Sequence, residues 1–201
     1  SNADVMHLAN YQLGVFKSSD GGQTWKHTLK TKNGLSLMTS PSGQHVYLQC
    51  LKRTGLYASH DRGETWSVAH AADGIDGMAH HPKDENTLFI SDGQHENYWS
   101  YKGARPAKLL KSTDAGKTWT ELAALDSGPL YIDPVKPNIM LMSTLHGGKG
   151  ILRSTDGGQS WHDFHRDAPS YTTRGFTYGG TPGSVLYHMF GNMARTTRLH
   201  E

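Results

Sequence analysis

Ser154-Thr155-Asp156-Gly157-Gly158-Gln159-Ser160-Trp161 decides how this chain is read, because the sequence contains the same pattern four times. The other copies are Ser18-Ser19-Asp20-Gly21-Gly22-Gln23-Thr24-Trp25, Ser59-His60-Asp61-Arg62-Gly63-Glu64-Thr65-Trp66 and Ser112-Thr113-Asp114-Ala115-Gly116-Lys117-Thr118-Trp119. All read S-x-D-x-G-x-[ST]-W, and four of the five tryptophans close them. Successive copies start 41, 53 and 42 residues apart. Recurrence at that spacing is the mark of a repeat architecture.

Each copy reads as a hairpin turn. Apolar, alternating residues lead in (Gly14-Val15-Phe16-Lys17) and out (Thr24-Trp25-Lys26-His27), with Asp and Gly between them, which tolerate positive φ and let the chain reverse. The aspartate can accept hydrogen bonds from turn amides and from the Thr/Ser hydroxyl four residues on. The tryptophan is expected to lie over the hairpin as an apolar lid, its indole N–H finding a partner.

The regions between the copies supply the other strands. The second unit is complete: Leu35 to Met38, the turn Ser40-Pro41-Ser42-Gly43, His45 to Leu51, Gly55 to Ser59, and Trp66 to His70. Units starting near Gly77 and Pro129 repeat that plan. The first begins one strand late, at Val5, and a fifth runs from Thr173 to Leu199 without a box or a fourth strand. Four strands per unit of about 42 residues predict an all-β fold, a β-propeller of about five four-stranded blades with the first and last incomplete. That leaves either an imperfectly closed ring or an arc of a larger one. Residues 4–201 form the propeller, and Ser1-Asn2-Ala3 reads as a tag remnant.

Composition agrees. The chain has 201 residues with 23 glycines, and only 19% are charged. A net charge of +2, scattered along the sequence, gives no electrostatic reason for nucleic acid or an anionic membrane as partner. No apolar run approaches the roughly 20 residues of a membrane span. The lone cysteine, Cys50, rules out an internal disulfide framework.

The boxes resemble the Asp-box, or BNR repeat, of sialidase-type propellers, xyloglucanase-type glycoside hydrolases, sortilin-type receptor domains and photosystem-II assembly-factor propellers. The resemblance covers about Val5 to Leu199. It implies sites on the face away from the boxes, and hence structural roles for Asp20, Asp61, Asp114 and Asp156 with Trp25, Trp66, Trp119 and Trp161. Sialidases carry an F/Y-R-I-P segment near the N-terminus, and none stands here. Arg105, Arg166 and Arg174 are the nearest thing to their carboxylate clamp, on unrelated loops.

The longer step of 53 residues locates an insertion of about eleven residues between Asp92 and Lys108, on the face opposite the boxes. It carries His95, Glu96, Tyr98, Trp99, Tyr101 and Arg105, a mixture that suits sugar faces and hydroxyls, a protein hot spot, or packing of the loop on its own blade. His146, Arg166, Tyr171 and Arg174 are expected on the same face as further ligand contacts. A glycosidase would draw a carboxylate pair from Glu96, Asp73, Asp76, Asp126 and Asp167, roughly 5–5.5 Å apart for retention or 6.5–9.5 Å for inversion. Thirteen histidines are spread over all units, without H-x-x-x-H or H-E-x-x-H spacing, so no metal is expected, and no cofactor motif is present. These features predict a secreted or periplasmic, non-catalytic module that binds a glycan or a protein opposite the boxes. A glycoside hydrolase using the same face is the alternative. Open strand edges at the incomplete blades would suit pairing with a second copy.

Overall fold

The computed structural model describes residues 4–51, 54–93, 107–125, 128–143, 151–165, 173–178, 186–190 and 193–197, with the last three segments as backbone only. Among the described residues, eighteen strands form five antiparallel sheets. The first holds β1 (Met6–Asn10), β2 (Gly14–Ser18) and β3 (Lys26–Lys30). The second holds β4 (Gly34–Thr39), β5 (Val46–Cys50), β6 (Leu56–Ser59) and β7 (Ser67–His70). The third runs β8 (Ile75–His80), β9 (Leu88–Asp92), β10 (Lys108–Ser112) and β11 (Thr120–Ala124). The fourth runs β12 (Leu130–Ile132), β13 (Met140–Ser143), β14 (Ile151–Ser154) and β15 (His162–His165). The fifth has β16 (Thr173–Tyr178), β17 (Leu186–Phe190) and β18 (Met193–Thr197). Sequential strands are neighbours throughout, and β4, β8 and β12 lead the complete blades, each packed near the next. Among the described residues, the first and last sheets have three strands each, without an innermost strand in the first or an outermost strand in the last, as the sequence predicts.

Register repeats with the sequence. The serine opening each box faces Met6, Val46, Leu88 or Met140 on the neighbouring strand. Each pairing of the box strand with the outer strand carries a bulge, at Val15/Phe16, Leu56/Tyr57, Leu109/Leu110 and Ile151/Leu152. The core lies between sheets rather than within them. Val15 of the first sheet packs with Leu48 and Cys50 of the second. Tyr47, Leu56 and Ala58 of the second meet Ile75, Leu88, Ile90 and Leu110 of the third. Ala79, Phe89 and Leu109 of the third meet Leu130, Ile132, Met140, Met142 and Leu152 of the fourth. Fully burying one such aliphatic side chain stabilises by roughly 1.5–3 kcal/mol, so the blades hold one another. Burial also pushes the Cys50 thiol up to about 12.

The boxes are built as the sequence suggests, with two corrections. The aspartates keep ordinary φ. The left-handed pair is instead the next two residues, Gly21–Gly22, Arg62–Gly63, Ala115–Gly116 and Gly157–Gly158. The tryptophan also lies in the turn, one residue before the outer strand, and its ring wedges against the preceding blade rather than only capping its own hairpin. Trp66 Nε1 donates to Thr28 Oγ1 of the first sheet at 3.3 Å as well as to its own Gly63 carbonyl at 3.2 Å. Trp119 Nε1 donates to Ala69 O of the second sheet at 3.0 Å. Trp161 packs against the cluster that Ala79, Phe89 and Leu109 of the third blade form with the fourth.

Candidate functional site

Both ends of the sheets offer polar side chains, and at the box end the four box aspartates bond within their own turns. In all four boxes the serine hydroxyl donates to the aspartate Oδ1 (2.7–2.8 Å) and accepts the glycine N–H four residues on (2.8–2.9 Å). The aspartate also accepts the backbone N–H of the Thr/Ser at 2.9 Å and its hydroxyl at 2.5–2.6 Å. The Thr24 hydroxyl and amide, then Ser18, hold Asp20 down at about 2, and Thr118 and Ser112 do the same for Asp114. Burial pushes Asp61 up, but hydrogen bonds from Thr65 and Ser59 outweigh it and the net shift is down. Each of these carboxylates accepts three or four hydrogen bonds from within its own hairpin turn.

Beside the boxes, Glu85 ties two blades. It accepts from the Ser40 hydroxyl, from Ser42 N at 3.1 Å and from Ser42 Oγ at 2.6 Å. Close by, His45 Nδ1 and His60 Nδ1 lie within hydrogen-bonding distance at 3.1 Å. Desolvation lowers the pKa of both rings, with like charge from His80 adding for His45 and from His45 for His60.

The opposite end of the third blade carries a different arrangement. Here β7 ends at His70, β8 begins at Ile75-Asp76, and β9 ends at Asp92. Ile75 and Asp92 are register partners, so Asp76 sits at the lip beside the β9 terminus. His70 Nε2 donates to Asp92 Oδ2 at 2.9 Å, with the two side chains 20% and 7% exposed. The edge of the His70 ring lies against Trp119, centroids 5.7 Å apart, which fixes its orientation. The Asp76 carboxylate lies against the Cα of Gly93, so closely that a Cβ there would fall 1.6 Å from Oδ2. Gln49, buried at the end of β5, donates from Nε2 to the Ile75 carbonyl at 2.6 Å and fastens the second blade to this lip. Asp73 stands half-buried just before β8.

The structure thus brings Asp76 of the sequence-derived candidates to one lip with Asp92 and His70, with Asp73 three residues upstream. Sequence reasoning passed over Asp92 and His70. Their signal was positional: both are polar residues that end strands at the mouth of the insertion. The loop residues His95, Glu96, Tyr98, Trp99, Tyr101 and Arg105 lie outside the described residues, as do Asp126, His146, Arg166, Asp167 and Tyr171. Arg174 falls in β16, where only the backbone is described. Among the described residues no group of three or more His, Cys, Asp or Glu is arranged to hold a metal ion, and no helix is long and apolar enough to cross a membrane.

The BNR/Asp-box repeat family matches the chain at residues 57–68 and 152–163, inside the second and fourth boxes and the strands flanking them. The xyloglucanase Xgh74A of Acetivibrio thermocellus is 31% identical over 99 residues, 44% of this chain and 11% of that protein. The chain therefore spans about a tenth of the length of the curated relatives it matches. Among solved structures, a GH74 enzyme of Niastella koreensis superposes on all of this chain and 35% of its own, with TM-score 0.79 at 16% identity. A YCF48 structure bound to a D1 peptide superposes with TM-score 0.69, also at 16% identity, over 63% of that protein. At such identities the shared property is the fold. Repeated boxes, a series of antiparallel sheets and these likenesses agree: the chain is a β-propeller built from BNR/Asp-box repeats, similar over part of its length to xyloglucanases.

Proposed function

We propose that this propeller is a binding module for a glycan, held at the lip of the third blade opposite the boxes. The observation that supports the reading most directly is the contrast in carboxylates. The box aspartates are consumed within their own turns, whereas Asp76 and the His70–Asp92 pair gather at the base of the one long insertion. A lip of carboxylate and imidazole, at the strand end from which the segment carrying Tyr98, Trp99 and Tyr101 continues in sequence, would meet the needs of a polyhydroxylated ligand: acceptors for hydroxyls and flat rings for apolar sugar faces. The likeness to xyloglucanases supports a β-glucan backbone as the first ligand to try. The module is read as secreted or periplasmic, because such polymers lie outside the cytoplasm.

The test is a glycan panel that includes xyloglucan oligosaccharides, read by calorimetry for the wild type, Trp99→Ala and Asp76→Asn. Binding that weakens at least tenfold in both variants supports the lip. Binding untouched by either places the ligand elsewhere. A second reading, hydrolysis on the same face, is favoured by the proximity of Asp76 to the Asp92 terminus. It requires new reducing ends from the same oligosaccharides, lost in Asp76→Asn.

A further inference from the structure

Asp76 is the extra residue of a β-bulge. Ile75 faces Asp92 and Gly77 faces Ser91, so Asp76 is the residue that the register skips. A bulge of this kind bends its strand and re-aims the side chain it carries. The second blade has the same bulge in the same place, since Gly34 faces Cys50 and Ser36 faces Gln49 on either side of Leu35. Leu35 is 53% exposed, so the bulge there turns its side chain outward. Asp76 is instead half-buried, with its carboxylate laid over Gly93.

Two glycines shape that difference, and neither is there for its backbone angle. Gly77 and Gly93 both lie outside the left-handed φ region, so an L-residue fits the conformation of either. What they supply is room. A Cβ on Gly77 would run into the Gly128 carbonyl oxygen and the Cα of Pro129, the backbone that leads into the fourth blade. The bulge is therefore seated directly on the next blade. A Cβ on Gly93 would overlap Oδ2 and Cγ of Asp76, which are side-chain atoms. In the second blade the place of Gly93 is taken by Leu51, one residue past Cys50, and the place of Asp76 by Leu35. Carboxylate and glycine arrive together in the third blade. From the other side, the buried Gln49 donates from Nε2 to the Ile75 carbonyl at 2.6 Å, which ties the residue before the bulge to the second blade.

We propose that Gly93, Gly77 and Gln49 are positioning residues that hold the Asp76 carboxylate in place as the acceptor of the lip. Gly93 vacates the space that the carboxylate takes, Gly77 lets the bulge close on the fourth blade, and Gln49 anchors its first residue to the second. Residues of three blades thus fix one carboxylate. A ligand hydroxyl meets an acceptor whose orientation is already settled, and less side-chain freedom is lost on binding. The consequence for affinity rests on the proposed glycan site.

Gly93→Ala is the test, because the atoms in its way are the end of a flexible side chain and not backbone. The fold should accept it, with a urea midpoint close to that of the wild type, while the Asp76 carboxylate turns away. Two readouts follow that turn: the carboxyl 13C resonance of Asp76, identified by its loss in Asp76→Ala, and calorimetric affinity for xyloglucan oligosaccharides. The resonance is expected to move and the affinity to fall roughly tenfold or more. In an Asp76→Ala background, Gly93→Ala should weaken binding no further, because the two positions act as one. An unmoved resonance overturns the proposal, and so does a moved resonance with wild-type affinity. An equal further loss of affinity in the Asp76→Ala background, or a urea midpoint that falls along with affinity, makes Gly93 a structural residue and overturns it too. A wild type that binds none of the oligosaccharides removes the glycan reading alone, and the resonance then decides whether Gly93 positions Asp76.

Discussion

The two ends of the third blade differ in how their carboxylates are held. At the box end, Asp114 takes hydrogen bonds only from residues within four positions of itself, and the same atoms recur in three other turns. At the lip, Asp92 accepts from His70, which is 22 residues away and on another blade. The first arrangement is local and repeated, which is what a chain needs to fold the same hairpin four times. The second is long-range and joins two blades, and it lies where the site is proposed. Repetition goes with local bonding here, and the departure from it is where the site is proposed.

The strongest way to break that comparison is to strip one box and watch the lip. Ser154 is fully buried, and its hydroxyl serves Asp156 Oδ1, Asp156 N and Gly158 N together. Ser154→Ala orphans buried partners and is expected to cost about 2 kcal/mol in urea unfolding, from a range of roughly 1–3 kcal/mol for one lost buried partner. Ligand affinity should not move. A loss of affinity larger than the loss of stability would contradict the division of labour between the two ends.

The converse change is Asp92→Asn. It keeps the shape of the side chain and a group that His70 can still contact, so unfolding should shift by less than about 1 kcal/mol. Glycan affinity is expected to fall about tenfold, equivalent to about 1.4 kcal/mol. Equal affinity with reduced stability would make the His70–Asp92 pair one more structural link.

The difference in legibility follows from the same physics. The boxes could be read from sequence because every partner lies within a few residues: Ser18, Asp20, Gly22 and Thr24 determine one another. The blade order followed from the period, and the incomplete first blade from Val5 standing one strand late. The lip could not be read, since it depends on a contact between His70 and Asp92 set by how two blades pack. The wedge role of Trp119, whose N–H goes to Ala69 fifty residues earlier, escaped for the same reason.

Acid should act first on the box end. The His45–His60 contact needs at least one neutral ring, and desolvation lowers both pKa values from 6.5. The unfolded chain then binds more protons than the folded one below about pH 6.5, so stability is full above that pH and declines as pH falls through the lowered values. Urea midpoints are expected to drop between pH 7.5 and 5.5, and His60→Gln should flatten the slope. A flat wild-type profile would mean that the two rings protonate freely. A second decline, toward pH 2, is expected as Asp20 and Asp114 lose their charge.

The smallest effect tests how closely the four boxes are equivalent. The residue after the aspartate has φ near +60° to +73° in all of them, yet it is glycine only in the first and last. Arg62 adopts φ 61° with an exposed side chain, so its cost is conformational rather than a matter of packing. A non-glycine residue there gives up roughly 1–2 kcal/mol, and a glycine returns part of that gain through a more disordered unfolded chain, roughly 0.4–1 kcal/mol. Arg62→Gly should therefore stabilise by about 0.5 kcal/mol. Gly157→Ala runs the exchange backwards. Nothing lies within 4 Å of the Cβ it would add, so no clash confuses the result, and the expected cost is about the same 0.5 kcal/mol. Opposite signs of similar size would show that the second and fourth boxes are one structure with interchangeable parts. If Arg62→Gly destabilises, the arginine contributes something to its box that the other three lack, and the equivalence on which the repeat argument stands is weaker than the shared hydrogen bonds imply.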